Sequence, residues 1–218
     1  MKLYLTFISV FSLGAACCFS QGFINLNFEA ANLSVYGAGP AIVPATNGIP
    51  GWRAYVSGIQ FNQVIFNSIA LDEPAVTIQG TNSTSLTPIQ GNFSVFLQGG
   101  SAFANGTNSA IGQTGQIPSN ALSLIFWGYI SQTGVLFGNQ TLSLITLGST
   151  ANYDIYGADI SAFAGQTGQL LFTASKLSGA LIDNIQFSSS AIPEPSTLAL
   201  SALGALLIGF GRWRNSSR

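Results

Sequence analysis

Apolar residues fall in short runs along this chain, separated by Gly, Asn, Ser and Pro, with no stretch of helical period and useful length between Gly22 and Ser190. That pattern predicts strands rather than helices. The first candidate is Phe23 to Phe28, with Ile24, Leu26 and Phe28 on one face. A Gly/Pro-rich loop from Gly37 to Gly51 follows. Further strands are predicted at 52–56, 63–67, 75–79, 93–98, 121–130, 141–147, 153–156, 170–174 and 181–187. The 121–130 segment is the strongest, with Leu122, Leu124, Phe126 and Ile130 opposed to Ser123, Ile125, Trp127 and Tyr129. A short helical turn is expected near 160–163. About nine or ten strands without crossover helices predict one antiparallel β-sandwich, a jelly roll, over residues 21–190.

The pentapeptide Gly112-Gln113-Thr114-Gly115-Gln116 recurs as Gly165-Gln166-Thr167-Gly168-Gln169. Each copy reads as a tight turn entering a strand, because Gly supplies positive φ; a sugar-binding loop is the alternative.

Both ends break the pattern. Lys2 precedes an apolar run, 3–16, that leads into Cys17-Cys18-Phe19-Ser20 and the polar Gln21, the build of a secretory signal peptide cleaved after Ser20. At the other end Pro193-Glu194-Pro195 precedes an uncharged apolar run, 196–211, and then Arg212, Arg214 and Arg218. At about 1.5 Å per residue that run makes a helix of roughly 24 Å, short for a hydrocarbon core of about 30 Å. The prolines bar helix continuation upstream, and the arginines favour a cytoplasmic C-terminus with the body outside.

The order of residues 191–218 resembles the PEP-CTERM sorting signal of Gram-negative bacteria that make extracellular polysaccharide. The resemblance implies processing by an exosortase, a membrane protease-transpeptidase that recognises Pro193-Glu194-Pro195. It also implies a cell-surface or matrix location after a transient stay in the inner membrane.

Charge narrows the chemistry. The 21–190 body carries two basic residues (Arg53, Lys176) and six acidic ones (Glu29, Asp72, Glu73, Asp154, Asp159, Asp183), a net of −4. Such a surface offers nothing to nucleic acid or anionic lipid. Histidine is absent and both cysteines precede Gln21. Disulfides, Cys/His zinc sites and histidine-based nucleophilic triads are therefore excluded from the body. Asp72-Glu73 and Asp154/Asp159 are the carboxylate pairs a glycosidase would need, but no second shell surrounds them in sequence. The body reads as non-catalytic.

Three features point toward carbohydrate. Trp52, after a Pro-Gly turn, and Trp127, mid-strand, are candidate stacking platforms, to which Tyr36, Tyr55, Tyr129, Tyr153 and Tyr156 can add; core packing is the alternative for each tryptophan. The segments N-L-N-F-E at 25–29, P-G-W at 50–52, S-L-I-F-W at 123–127 and L-I-D-N-I-Q-F at 181–187 resemble landmarks of galactose-binding-like carbohydrate-binding modules. That resemblance implies a structural Ca²⁺ held by Glu29 and Asp183 with backbone carbonyls. Alternation along 181–187 places Asp183 on the face of Leu181, Ile185 and Phe187, where a buried carboxylate needs a partner. Loop N–H groups, Lys176 or Arg53 are the alternatives to the ion. The expected role is structural or adhesive in association with extracellular polysaccharide, with a specific carbohydrate-binding module as the alternative and a glycan hydrolase behind it.

Overall fold

The computed structural model describes residues 22–103 and 106–192. The predicted signal peptide, the Pro193-Glu194-Pro195 motif and the helix after it lie outside these residues. Among the described residues the chain forms β1 (Ala41–Pro44), a helical turn α1 (Ala45–Gly48), β2 (Arg53–Val56), β3 (Ile59–Phe61) and β4 (Gln63–Phe66). The middle of the chain forms β5 (Ala75–Gly80), β6 (Phe93–Gln98), β7 (Ser109–Gln116), β8 (Ser123–Ile130) and β9 (Thr133–Phe137). Then follow β10 (Gln140–Thr141), β11 (Ile145–Ser149), β12 (Asp154–Asp159), β13 (Thr167–Ala174) and β14 (Gly179–Ser188). A 3₁₀ turn at Ser161–Phe163 occupies the predicted helical position.

The strands build two sheets. One has eight strands in the order β1-β4-β5-β6-β14-β8-β12-β11, the other six in the order β10-β9-β13-β7-β2-β3. Pairing between the named strands is antiparallel except for β4 with β5. Alternation sends Ile78, Val95, Leu97, Leu124, Phe126 and Ile182 from the larger sheet, and Ile111, Leu170 and Phe172 from the smaller, into one core. Phe126 meets Phe172 edge to face across the gap, with centroids 5.2 Å apart at 84°. The antiparallel β-sandwich expected from the hydrophobic pattern is the architecture.

Several boundaries differ from expectation. Residues 23–28 form no strand, because Asn25 and Phe28 take positive φ (50° and 57°) and break the extended run. The segment is instead clamped from the side: the Gln113 amide accepts from Ile24 N (2.6 Å) and donates to Ile24 O (3.0 Å). The loop expected at 37–51 contains β1 and α1, and the predicted 141–147 strand divides into β10 and β11. The largest correction concerns 112–116, which is not a turn but the end of β7. Its echo has one turn residue, Gly165 at φ 75°, before entering β13. The two copies lie against each other, Thr114 opposite Gln169 and Gly115 opposite Gly168.

Asp183 sits differently too. The β14–β8 register shifts between Asp183 and Gln186, and Asn184 takes φ 48° at the bulge. Ile182 and Ile185 both enter the core as a result, while Asp183 stays with Leu181 on the outer face of the larger sheet, opposite Trp127.

Candidate functional site

Trp52 is a core residue. Its side chain is 4% exposed, packs against Phe28 and Phe172 (5.7 and 6.2 Å between centroids), and donates from Nε1 to Asn25 O at 3.0 Å. The ring is covered on both sides and offers no stacking surface, which corrects its assignment to carbohydrate binding. Trp127 alternates with the core residues Leu124 and Phe126 and therefore faces outward. It is half-buried, stacked on Tyr153 at 5.0 Å and 15°.

Next to that stack, on the same face, lies a cleft of about 620 Å³. Phe96 of β6, Leu181 of β14 and Tyr129 of β8 line it, and Gly179 has no side chain, so the Phe96 ring can lie against it. Tyr129 is 70% exposed. Thr87, Ser131 and Asn152 supply neutral polar groups, and among the described residues no charged side chain lines the cleft. One wall is the loop residues Leu86 to Ile89. An apolar, aromatic floor with a few uncharged hydrogen-bonding groups is the usual make-up of a small-ligand site. Tyr129 is among the candidate rings legible in the sequence, whereas the 86–89 wall is not. The available signal there was Gly91 within P-I-Q-G-N-F, a turn residue at φ 63°.

The structure brings Glu29 and Asp183 to the same loop, and shows what occupies their oxygens. Asp183 is 0% exposed. Its Oδ2 accepts from Gln90 N (3.0 Å) and Ser94 Oγ (2.6 Å), and its Oδ1 from Asn184 N (2.7 Å). Glu29 Oε1 accepts from Asn92 N (2.7 Å) and Phe93 N (3.0 Å), and Oε2 from Asn92 Nδ2 (2.9 Å). Burial pushes the Asp183 carboxyl up to about 6, against the hydrogen bonds from Ser94, Asn184 and Gln90, which pull it down; the nearby Glu29 charge adds to the rise. Calcium needs six or more oxygen ligands, and here each carboxylate accepts three hydrogen bonds, which leaves about one of its four lone-pair sites for a cation. Among the described residues no group of three or more acidic side chains gathers to hold a metal. The residues present do not fit a calcium ion. Loop N–H groups, one of the alternatives to the ion, are the partners of Asp183.

The remaining carboxylates do not converge on the cleft. Asp154 accepts from the Tyr156 hydroxyl at 3.0 Å, and burial together with that carboxylate raises the phenol to about 12. Asp159 accepts from Ser161 N at 2.8 Å, which holds its carboxyl below the usual aspartate value. Asp72 and Glu73 lie in the loop before β5 and, like Asp154 and Asp159, are not among the residues lining the cleft.

Comparison with curated proteins gives no match. Among solved structures the chain is similar to TmCBM61 in complex with β-1,4-galactotriose, at 13% identity, covering 78% of this chain and 99% of that one with a TM-score of 0.43. Residues 191–215 match the model of the PEP-CTERM protein-sorting motif. The chain is an exported protein whose C-terminal segment carries the PEP-CTERM signal read by an exosortase.

Proposed function

We propose that this protein is a non-catalytic adhesive component of the envelope of a Gram-negative cell, attached to extracellular polysaccharide through the outer face of its eight-stranded sheet. The observation that carries this reading is the uncharged cleft beside the Trp127–Tyr153 stack, with Tyr129 projecting into it. A pyranose presents C–H groups on its faces and hydroxyls around its rim. The first match the Tyr129 and Phe96 rings, and the second match Thr87, Ser131 and Asn152. The absence of charge in the lining favours neutral sugars over acidic ones.

Export supports the same reading, since it delivers the sandwich to the compartment where such polymers lie. After removal of 1–20 the sorting tail would hold the chain in the inner membrane until an exosortase acts on it. The test is retention of wild type and Tyr129→Ala in gels containing neutral glucans, galactans or polysaccharide from the producing cells. Retardation of wild type that Tyr129→Ala loses supports the reading. Equal mobility of wild type with and without every polymer would leave only a structural role.

A further inference from the structure

We propose that Glu29 and Asp183 are positioning residues for the cleft, fastening the 86–93 loop that forms its wall. The proposal rests on the reading of the cleft as a glycan site.

The loop is held from two sides. From beneath, β14 offers Asp183: Gln90 N–H donates to Oδ2 directly, and Ile89 N–H donates to Ser94 Oγ (2.8 Å), whose hydroxyl donates on to the same Oδ2. From the N-terminal segment Glu29 takes Asn92 N–H and Phe93 N–H. The backbone amides of 89, 90, 92 and 93 thus all end, directly or through Ser94, on these two carboxylates. Gly91 stands between the two sets at φ 63°, and a Cβ there would collide with the Glu29 carboxylate. Leu86 to Ile89, the cleft wall, run into this double fastening.

Hydrogen exchange on the full chain at neutral pH tests this, read as protection factors. Asp183→Asn should lower protection at Ile89 and Gln90 on the order of tenfold, the effect of one lost charge-assisted bond. Glu29→Gln should lower protection at Asn92 and Phe93 while leaving Gln90 as in wild type. Ser94→Ala, which leaves the carboxylate itself, should lower protection at Ile89. An Asp183→Asn or Glu29→Gln profile identical to wild type overturns the proposal, and if Asp183→Asn does not fold, Ser94→Ala and Glu29→Gln still decide it. Gel retardation in the same polymers separates the two readings: no retardation of wild type with the expected exchange pattern sinks the glycan site and leaves the fastening. Retardation of wild type with unchanged exchange in the variants does the reverse.

Discussion

Gly115 on β7 lies directly opposite Gly168 on β13, so the two copies of Gly-Gln-Thr-Gly-Gln are paired with each other across one ladder. Both glycines face inward, where their missing side chains admit aromatic rings. A Cβ on Gly168 would come within 2.7 Å of Phe137 Cζ, and one on Gly115 within 3.0 Å of Phe23 Cγ and of its backbone N. The glutamines serve the frame: Gln113 clamps Ile24, Gln116 donates to Gly165 O (2.8 Å) and Gln166 to Ala162 O (2.7 Å). Overpacking of this kind costs about 1–3 kcal/mol. Gly168→Ala and Gly115→Ala should each lower the urea midpoint by that order, while Gly138→Ala, with open space around it, should be limited to the strain of its φ of 56°.

The same repeat shows where sequence reading stops. Strands β6, β8 and β14 were legible because Phe, Val, Leu and Ile alternate there against small or polar residues, and hydrophobic period is the main local signal for a strand. β7 reads Ser-Ala-Ile-Gly-Gln-Thr-Gly-Gln, a composition that locally favours turns, and it is a strand because β13 and β2 flank it on both sides. The inward turn of Ile185, away from the face of Asp183, was hidden for a related reason. A one-residue bulge at Asn184 reverses the faces of everything after it, and nothing in the period of L-I-D-N-I-Q-F marks the extra residue. The strand alone puts Trp127 and Tyr129 on the face opposite Leu124 and Phe126. The strand pattern says nothing of the loop that completes the cleft, since its position depends on carboxylates 63 and 93 residues away.

The aromatic residues should separate cleanly under mutation. Trp52→Ala empties a core site and should cost about 3–5 kcal/mol. Tyr129→Ala removes a mostly exposed ring, and its stability change should stay within about 0.5 kcal/mol, as for ordinary surface positions. Trp127→Ala should fall between them, since its ring is half-buried against Tyr153. Polymer retention should follow the opposite order, with Tyr129 and Trp127 mattering and folded Trp52 variants retaining it. Because no charge lines the cleft, retention should change little between low salt and 0.5 M NaCl, where a charge-driven contact is strongly screened.

Processing is predicted from the two ends. In its own host the mature chain should begin near Gln21 and lack the segment from Ser196 onward. Mass spectrometry of the surface-associated form checks both termini, and an intact Arg218 in that form contradicts the prediction. Replacing Pro193, Glu194 and Pro195 together by alanine should leave the full-length chain in the inner-membrane fraction.

The pH dependence of stability should run opposite to ordinary acid denaturation. Asp183 is raised to about 6 in the fold from an ordinary 3.8. Between those values the folded state binds more protons than the unfolded state, so this group makes the fold more stable as pH falls through the window and less stable as pH rises. The full difference corresponds to about 3 kcal/mol, of which about 2 kcal/mol falls between pH 7 and pH 4. Asp159 works in the other direction, because its carboxyl lies below the usual value and loses its Ser161 bond only when it protonates at more acid pH. Urea unfolding should therefore show stability rising from pH 7 to about pH 4.5 and falling only below that. Asp183→Asn should flatten the rising part of the curve, whatever it does to the absolute level. Chelator should leave the wild-type curve unchanged at every pH, because the Glu29 and Asp183 oxygens are already taken by N–H and O–H donors. A midpoint that drops with chelator and recovers with calcium would show instead that these carboxylates release the loop to hold an ion.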